Sequence, residues 1–250
     1  MVDDELFTGG PAGFGAKGIA TRPTVRWVTF DCFGTLVDWH SGFADILRPL
    51  VHDSTPGVIH AYHRIERQLE AEKPHRLYRD VLVTALVRAA ADCGLQLSES
   101  EARRLPESWN TLPVFNDTEP MLGDLRASGY RLAVLTNCDE DLFEETHRRF
   151  HHRFDLVVTA ERVRDYKPSP THFRAFSQLS GATADNWVHV ACSWYHDIAP
   201  ARAMGLRRVW LDRDLTGESE TTASARVRSA AEVCEAVARL DREGSTSGRM

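Results

Sequence analysis

Short apolar runs rich in β-branched and aromatic residues recur along the chain: VRWVTF (25–30), RLAVLT (131–136), FDLVVT (154–159), WVHVAC (187–192) and RRVWL (207–211). Runs of this length and composition predict strands. From the second run onward they are separated by stretches with helical spacing. DEDLFEETHRRF (139–150) places Leu142, Phe143 and Thr146 on one face. PSPTHFRAFSQLSG (168–181) opens on prolines and closes on glycine, and DIAPARAMG (197–205) is a short helix ended by Gly205. Strand and helix alternating in this way predict an α/β fold, a parallel sheet with helices on both faces.

Between the first and second runs the pattern changes to the helical period alone. HSGFADILRPLVHD (40–53), VIHAYHRIERQLEAE (58–72), LYRDVLVTALVRAAADCG (77–94) and SESEARRLPESWN (98–110) each carry it, punctuated by Pro56-Gly57, Pro74 and Gly94. Ser98 with Glu101 three residues on is a capping-box signature. The expected organisation is a leader over 1–22, a core built from 23–38 and 118–241, a helical cap over 39–117, and a tail over 242–250. Leader and tail lack the periodic apolar positions that would repay the entropy of ordering them.

Composition removes several classes of function. The net charge of -6 offers no basic field to a phosphate backbone, so nucleic acid is not an expected partner. The five cysteines, Cys32, Cys93, Cys138, Cys192 and Cys234, are scattered without ligand or disulfide spacing, which points to reduced thiols in the cytoplasm. The first residues lack the basic and apolar regions of a signal peptide, and no apolar stretch is long enough to span a bilayer.

In open α/β sheets, ligands bind beyond the carboxyl ends of the strands. The residues found there are Asp31, Thr136 with Asn137, Lys167 and Asp197. An Asx turn, a strand end, a solvated helix start and an N-cap would explain these residues one at a time. Taken together they suit an activated carboxylate. Lys167 offsets the repulsion between Asp31 and Asp197 and keeps Asp31 ionised, Thr35 and Thr136 supply hydroxyl donors, and Gly34 permits a tight turn. His196, next to Asp197, is a candidate for substrate contact. The other histidines considered, His40, His63, His147, His151, His152 and His172, read as surface or cap residues.

At these points the chain resembles the haloacid dehalogenase superfamily, whose motifs are an aspartate followed by Gly-Thr, a Ser/Thr, a Lys and an acidic fourth motif. The resemblance covers roughly 24–241 and implies a Rossmann-like core with an inserted α-helical cap. Phosphatases of that superfamily carry a second Asp two residues after the first, where this chain has Phe33, and a further acid where it has Ser193. FDCFGTLVDW instead looks like the type II (S)-2-haloacid dehalogenases, which place an aromatic there and need no metal.

That likeness implies Asp31 as nucleophile at the α-carbon of a small 2-halo carboxylic acid, an ester intermediate, and hydrolysis by water near Lys167 and Asp197. It also implies a cap arginine for the substrate carboxylate or halide, with Arg64 preferred over Arg67. Phe33, Asn137, Ser193, Trp194, Phe173 and His196 complete the expected substrate contacts, and Trp39 and Tyr62 are candidates for an apolar lining. The chain departs from the dehalogenase pattern at Phe173, where a tyrosine is usual, and at Cys192 and Trp194, where Ser and Asn are usual. Two alternatives stand beside this reading: a phosphatase requiring Mg2+, and an inactive binding module of the same fold. No other cofactor is expected, and an exposed cap helix offers a surface for a homodimer.

Overall fold

The computed structural model describes residues 25–213 and 223–247, with side chains through Glu243. In chain order the elements are β1 (Arg26–Phe30), α1 (Trp39–Val51), α2 (Thr55–Ala71), α3 (Tyr78–Asp92), α4 (Glu99–Ala102), α5 (Arg104–Glu107), α6 (Thr118–Ala127), β2 (Tyr130–Thr136), α7 (Glu140–His147), β3 (Leu156–Thr159), α8 (Ala160–Val163), α9 (Thr171–Ser180), β4 (Trp187–Ala191), α10 (Ala199–Ala203), β5 (Arg207–Leu211), β6 (Ala225–Val227) and α11 (Val233–Ser247).

The strands form one parallel sheet in the order β3-β2-β1-β4-β5-β6. Alternate residues of each strand face opposite layers. Val28, Phe30, Val134 and Val190 pack with the helices α6 and α11, through Leu122, Leu125, Val237 and Leu240. Trp27, Leu135 and Trp187 pack with α9, through Phe173 and Phe176. Burial on both faces is why the strands read as near-continuous apolar runs. With β1 at the centre and the direction of winding reversed between β1 and β4, the crevice lies at the carboxyl ends of those two strands.

Between β1 and β2, the helices ahead of α6 run from Trp39 to Thr111, the last being a single 3-10 turn. The chain then returns to the core: Val114 bridges to Val37, and the Phe115 N–H donates to the Leu36 carbonyl. The expected fourth helix is instead the two short pieces α4 and α5. Pro106 has no N–H for the Ala102 carbonyl, and its ring crowds that carbonyl, so the ladder breaks there.

Two further differences from expectation concern the C-terminal half. β6 is only three residues long, too short to show a period. α11 runs to Ser247, beyond the expected end at 241, since extending a helix whose inner face is buried adds a hydrogen bond for each residue fixed. The expected leader and residues 248–250 lie outside the described residues. Among the described residues no helix is long and apolar enough to cross a membrane.

Candidate active site

Asp31 follows the last residue of β1, and Gly34, at φ +92°, turns the chain sharply behind it. A Cβ at Gly34 would meet the Cys192 Sγ at 2.8 Å, so glycine is required both by backbone conformation and by the approach of the β4 loop. The turn brings Thr35 back onto Asp31. Its hydroxyl donates to Asp31 Oδ2 at 2.8 Å and accepts the Cys192 N–H at 2.9 Å.

Lys167, fully buried, links the two carboxylates. Its Nζ donates to Asp31 Oδ1 at 2.9 Å, to Asp197 Oδ1 at 2.7 Å and to the Leu135 carbonyl at 2.9 Å. Burial opposes the ammonium charge, but Asp197 and Asp31 outweigh it and raise the Lys167 pKa. Burial likewise opposes ionisation of Asp197, yet the Lys167 charge and a hydrogen bond from His189 hold its pKa at about 2. Asn137 fixes the backbone that carries the lysine: its Oδ1 accepts the Lys167 N–H at 2.7 Å and its Nδ2 donates to the Lys167 carbonyl at 3.0 Å.

A polar chain runs beneath these groups, through residues that sequence reasoning missed. Trp187 Nε1 donates to Thr29 Oγ1 at 2.7 Å, Thr29 Oγ1 lies 2.8 Å from His189 Nδ1, and His189 Nε2 lies 3.1 Å from Asp197 Oδ1. The indole can only donate, so the Thr29 hydroxyl is free to donate to Nδ1, leaving the His189 proton on Nε2 and aimed at Asp197. Thr29 and His189 are register partners on β1 and β4. The available signal was a polar residue inside each of two otherwise apolar runs.

The cavity over this constellation measures about 710 Å3. Asp31, Phe33, Thr136, Asn137, Lys167 and Asp197 line it from the core. Phe33 packs against Trp109, with ring centroids 4.9 Å apart. Ser193, Trp194 and His196 line it from the turn after β4, where Ser193 Oγ accepts the His196 N–H. The Thr136 hydroxyl, Asp197 Oδ2 and Trp194 Nε1 are buried without a hydrogen-bond partner.

The helical side is more polar than expected. Glu66 and Glu70 of α2 line the cavity together with Trp39, His63, Arg64 and Arg67. Glu66 Oε1 accepts from Tyr62 and Tyr78 at 3.0 and 2.7 Å, so the Tyr62 ring belongs to the core and its hydroxyl to Glu66. Burial works against the Glu66 charge, but His63 and Tyr78 outweigh it and lower its pKa. Burial pushes the Glu70 pKa up.

Three expectations are corrected. Phe173 does not reach the cavity: α9 turns it into the core, where its ring meets His189 edge-on at 5.0 Å. Arg64 borders the cavity, but its guanidinium pairs with Asp92 of α3 and is about half exposed. His172 and His147 are buried rather than superficial, since both lie on inward helix faces. Burial, and then the nearby Lys167 charge, hold His172 neutral with a pKa of about 3.

Comparison with known proteins adds to this geometry. The family model for haloacid dehalogenase-like hydrolases matches residues 25–205. The (S)-2-haloacid dehalogenase H-109 of Pseudomonas putida is 26% identical over 200 residues, 76% of this chain and 86% of that protein. The phosphoserine phosphatase of Thermus thermophilus is 33% identical over 139 residues, 53% of this chain and 56% of that protein. A crystal structure of an L-2-haloacid dehalogenase superposes with a TM-score of 0.77 at 23% identity, over 86% of this chain and 99% of that one, a likeness of fold.

Proposed function

The chain belongs to the haloacid dehalogenase-like hydrolases, and from that premise we propose that it displaces a leaving group from carbon with Asp31 as nucleophile, most simply halide from a small 2-halo carboxylic acid. The observation that carries this reading is the Lys167 ammonium held between Asp31 and Asp197, with a phenyl ring at position 33. An Asp31 oxygen attacks the α-carbon, a C–O bond forms, and the C–X electron pair leaves as halide, which needs no proton. Lys167 and Thr35 then stabilise the oxyanion formed when water attacks the ester carbonyl. Asp197 Oδ2, buried and unpartnered, is positioned to accept a hydrogen bond from that water. Ester cleavage returns the Asp31 carboxylate and releases a 2-hydroxy acid, the departing alkoxide taking one proton of the attacking water and solvent the other.

The donor set does not suit Mg2+. Both core carboxylates are already held by one ammonium, and among the described residues no group of three acidic, His or Cys side chains is placed to hold a metal. We therefore read the reaction as metal-independent. Arg67, which lines the cavity with its guanidinium 5.2 Å from the Tyr195 ring centroid, is the arginine we assign to a substrate carboxylate, since Arg64 is paired with Asp92. The helical segment is read as a cap over the site, and cysteines that form no disulfide among the described residues suit the cytoplasm.

The test is halide release from both enantiomers of 2-chloropropionate, and phosphate release from p-nitrophenyl phosphate, each with EDTA or Mg2+. Halide release indifferent to EDTA, and reduced about 10⁴-fold in Asp31→Asn, is the expected result. Magnesium-dependent phosphate release would overturn it in favour of the phosphatase alternative.

A further inference from the structure

A chloride or bromide leaving group makes no use of a general acid, yet the cavity holds an acid–imidazole pair. His196 Nε2 lies 3.5 Å from Glu70 Oε2, and Glu70 Oε1 accepts from Asn137 Nδ2 at 3.2 Å. Glu70 comes from α2 and His196 from the turn after β4, so the pair spans the cavity between helical segment and core. It lies close to the reacting groups. Asn137 holds the backbone of Lys167, and His196 directly precedes Asp197.

The hydrogen bonds of His196 suit proton transfer in one direction. Ser193 Oγ accepts the His196 N–H at 3.1 Å and lies 3.0 Å from Nδ1. In the charged ring, Nδ1–H donates to Ser193 and Nε2–H points toward Glu70 and the cavity. Losing the Nε2 proton leaves the Nδ1–H tautomer, which Ser193 already accommodates. Glu70 Oε2, at 3.5 Å, is the group that Nε2 faces across the cavity. The charged groups facing the imidazole are Glu70 and Glu66 of α2 and Asp197 of its own turn. Independent of the pair, the Thr136 hydroxyl and Asp197 Oδ2 are almost fully buried, unpartnered and on the same wall, as expected of a site that closes around a polar ligand.

We propose that Glu70 and His196 form the proton donor that Phe33 cannot be, serving substrates whose departing atom leaves as a base, fluoride among the halides. This rests on the reading of Asp31 as a nucleophile at carbon. As the Asp31–carbon bond forms and the C–F pair moves to fluorine, His196 Nε2 shares its proton with the departing fluoride in a hydrogen bond, and Glu70 compensates the imidazolium charge beforehand. Because hydrogen fluoride is the stronger acid, the proton stays with the ring when the fluoride ion leaves.

The experiment compares fluoride release from 2-fluoropropionate with chloride release from 2-chloropropionate, in wild type, His196→Gln and Glu70→Gln. Either substitution is expected to lower fluoride release about 100-fold, and chloride release no more than about tenfold. The chloride reaction also reports that each variant is folded. Equal losses on both halides would overturn the proposal, as would a wild type that releases chloride but no fluoride. A wild type that releases neither overturns the Asp31 reading as well.

Discussion

His189 is the residue whose role depends most on its neighbours. Its ring is wedged between Phe173 and the strand layer, and its Nε2 proton fixes Asp197 Oδ1, leaving the other oxygen toward the cavity. Replacing it with Phe would keep the ring while removing the donor to Asp197, and would strand the Thr29 hydroxyl donor in the core. The expected cost is about 1–3 kcal/mol of stability in urea. The water step should slow about tenfold and halide displacement less, because Asp197 Oδ2 faces the water while Lys167 still holds Asp31. Rapid-mixing halide release should then show a burst, and intact-protein mass spectrometry should find the alkylated chain. His189→Gln, which retains a donor, should restore part of the rate. An unchanged steady state in His189→Phe would remove Asp197 orientation from the mechanism.

Among the elements, α9 carries a clear pH signature. It places His172 against the Thr136 carbonyl, with Nε2 3.2 Å away, in a site where burial and Lys167 disfavour the imidazolium. The folded pKa of about 3 lies below the ordinary value of 6.5, so between those values the unfolded chain binds a proton that the folded chain does not. Stability from this residue is therefore full above about pH 6.5 and is lost as pH falls toward 3. Between pH 7 and pH 5 the loss is about 2 kcal/mol. Urea midpoints of wild type and His172→Gln at the two pH values should diverge accordingly, the variant being the less acid-sensitive. An identical pH slope would contradict the account.

At the scale of the whole molecule, several contacts anchor the helical segment to the core, and one carboxylate makes two of them. Asp139, just after β2, accepts the N–H groups of Tyr78 and Arg79 at 2.7 and 2.9 Å, capping α3 from outside the segment. Lys73 adds an ion pair with Asp165, and the Tyr166 hydroxyl donates to the Arg76 carbonyl at 2.7 Å. Because the cavity walls come from both parts, loosening this anchor should act on substrate binding more than on the chemical step. Asp139→Ala is expected to cost about 1–2 kcal/mol and to accelerate hydrogen exchange in the first turn of α3. Its KM should rise more than its kcat falls. Unaltered exchange at Tyr78 and Arg79 would show that the segment is held elsewhere.

Local pattern determined the strands β1 to β5, the parallel α/β architecture, the helical stretch between the first two strands and the residues at the strand ends. Apolar period and strand-end chemistry are written in consecutive positions, so Asp31, Thr35, Thr136, Lys167 and Asp197 were legible before any fold was known. Tertiary structure alone decided what those residues meet. Phe173 was expected in the cavity because the resemblance implied it, but the rotation of α9 sends it into the core. Arg64 had the right charge, yet Asp92 of α3 claims it. His189, Glu66 and Glu70 were silent in the sequence because their partners lie on other elements, distant along the chain. Period reports which face a residue occupies; only packing brings a second group within hydrogen-bonding distance of it, and this site is made of such pairs.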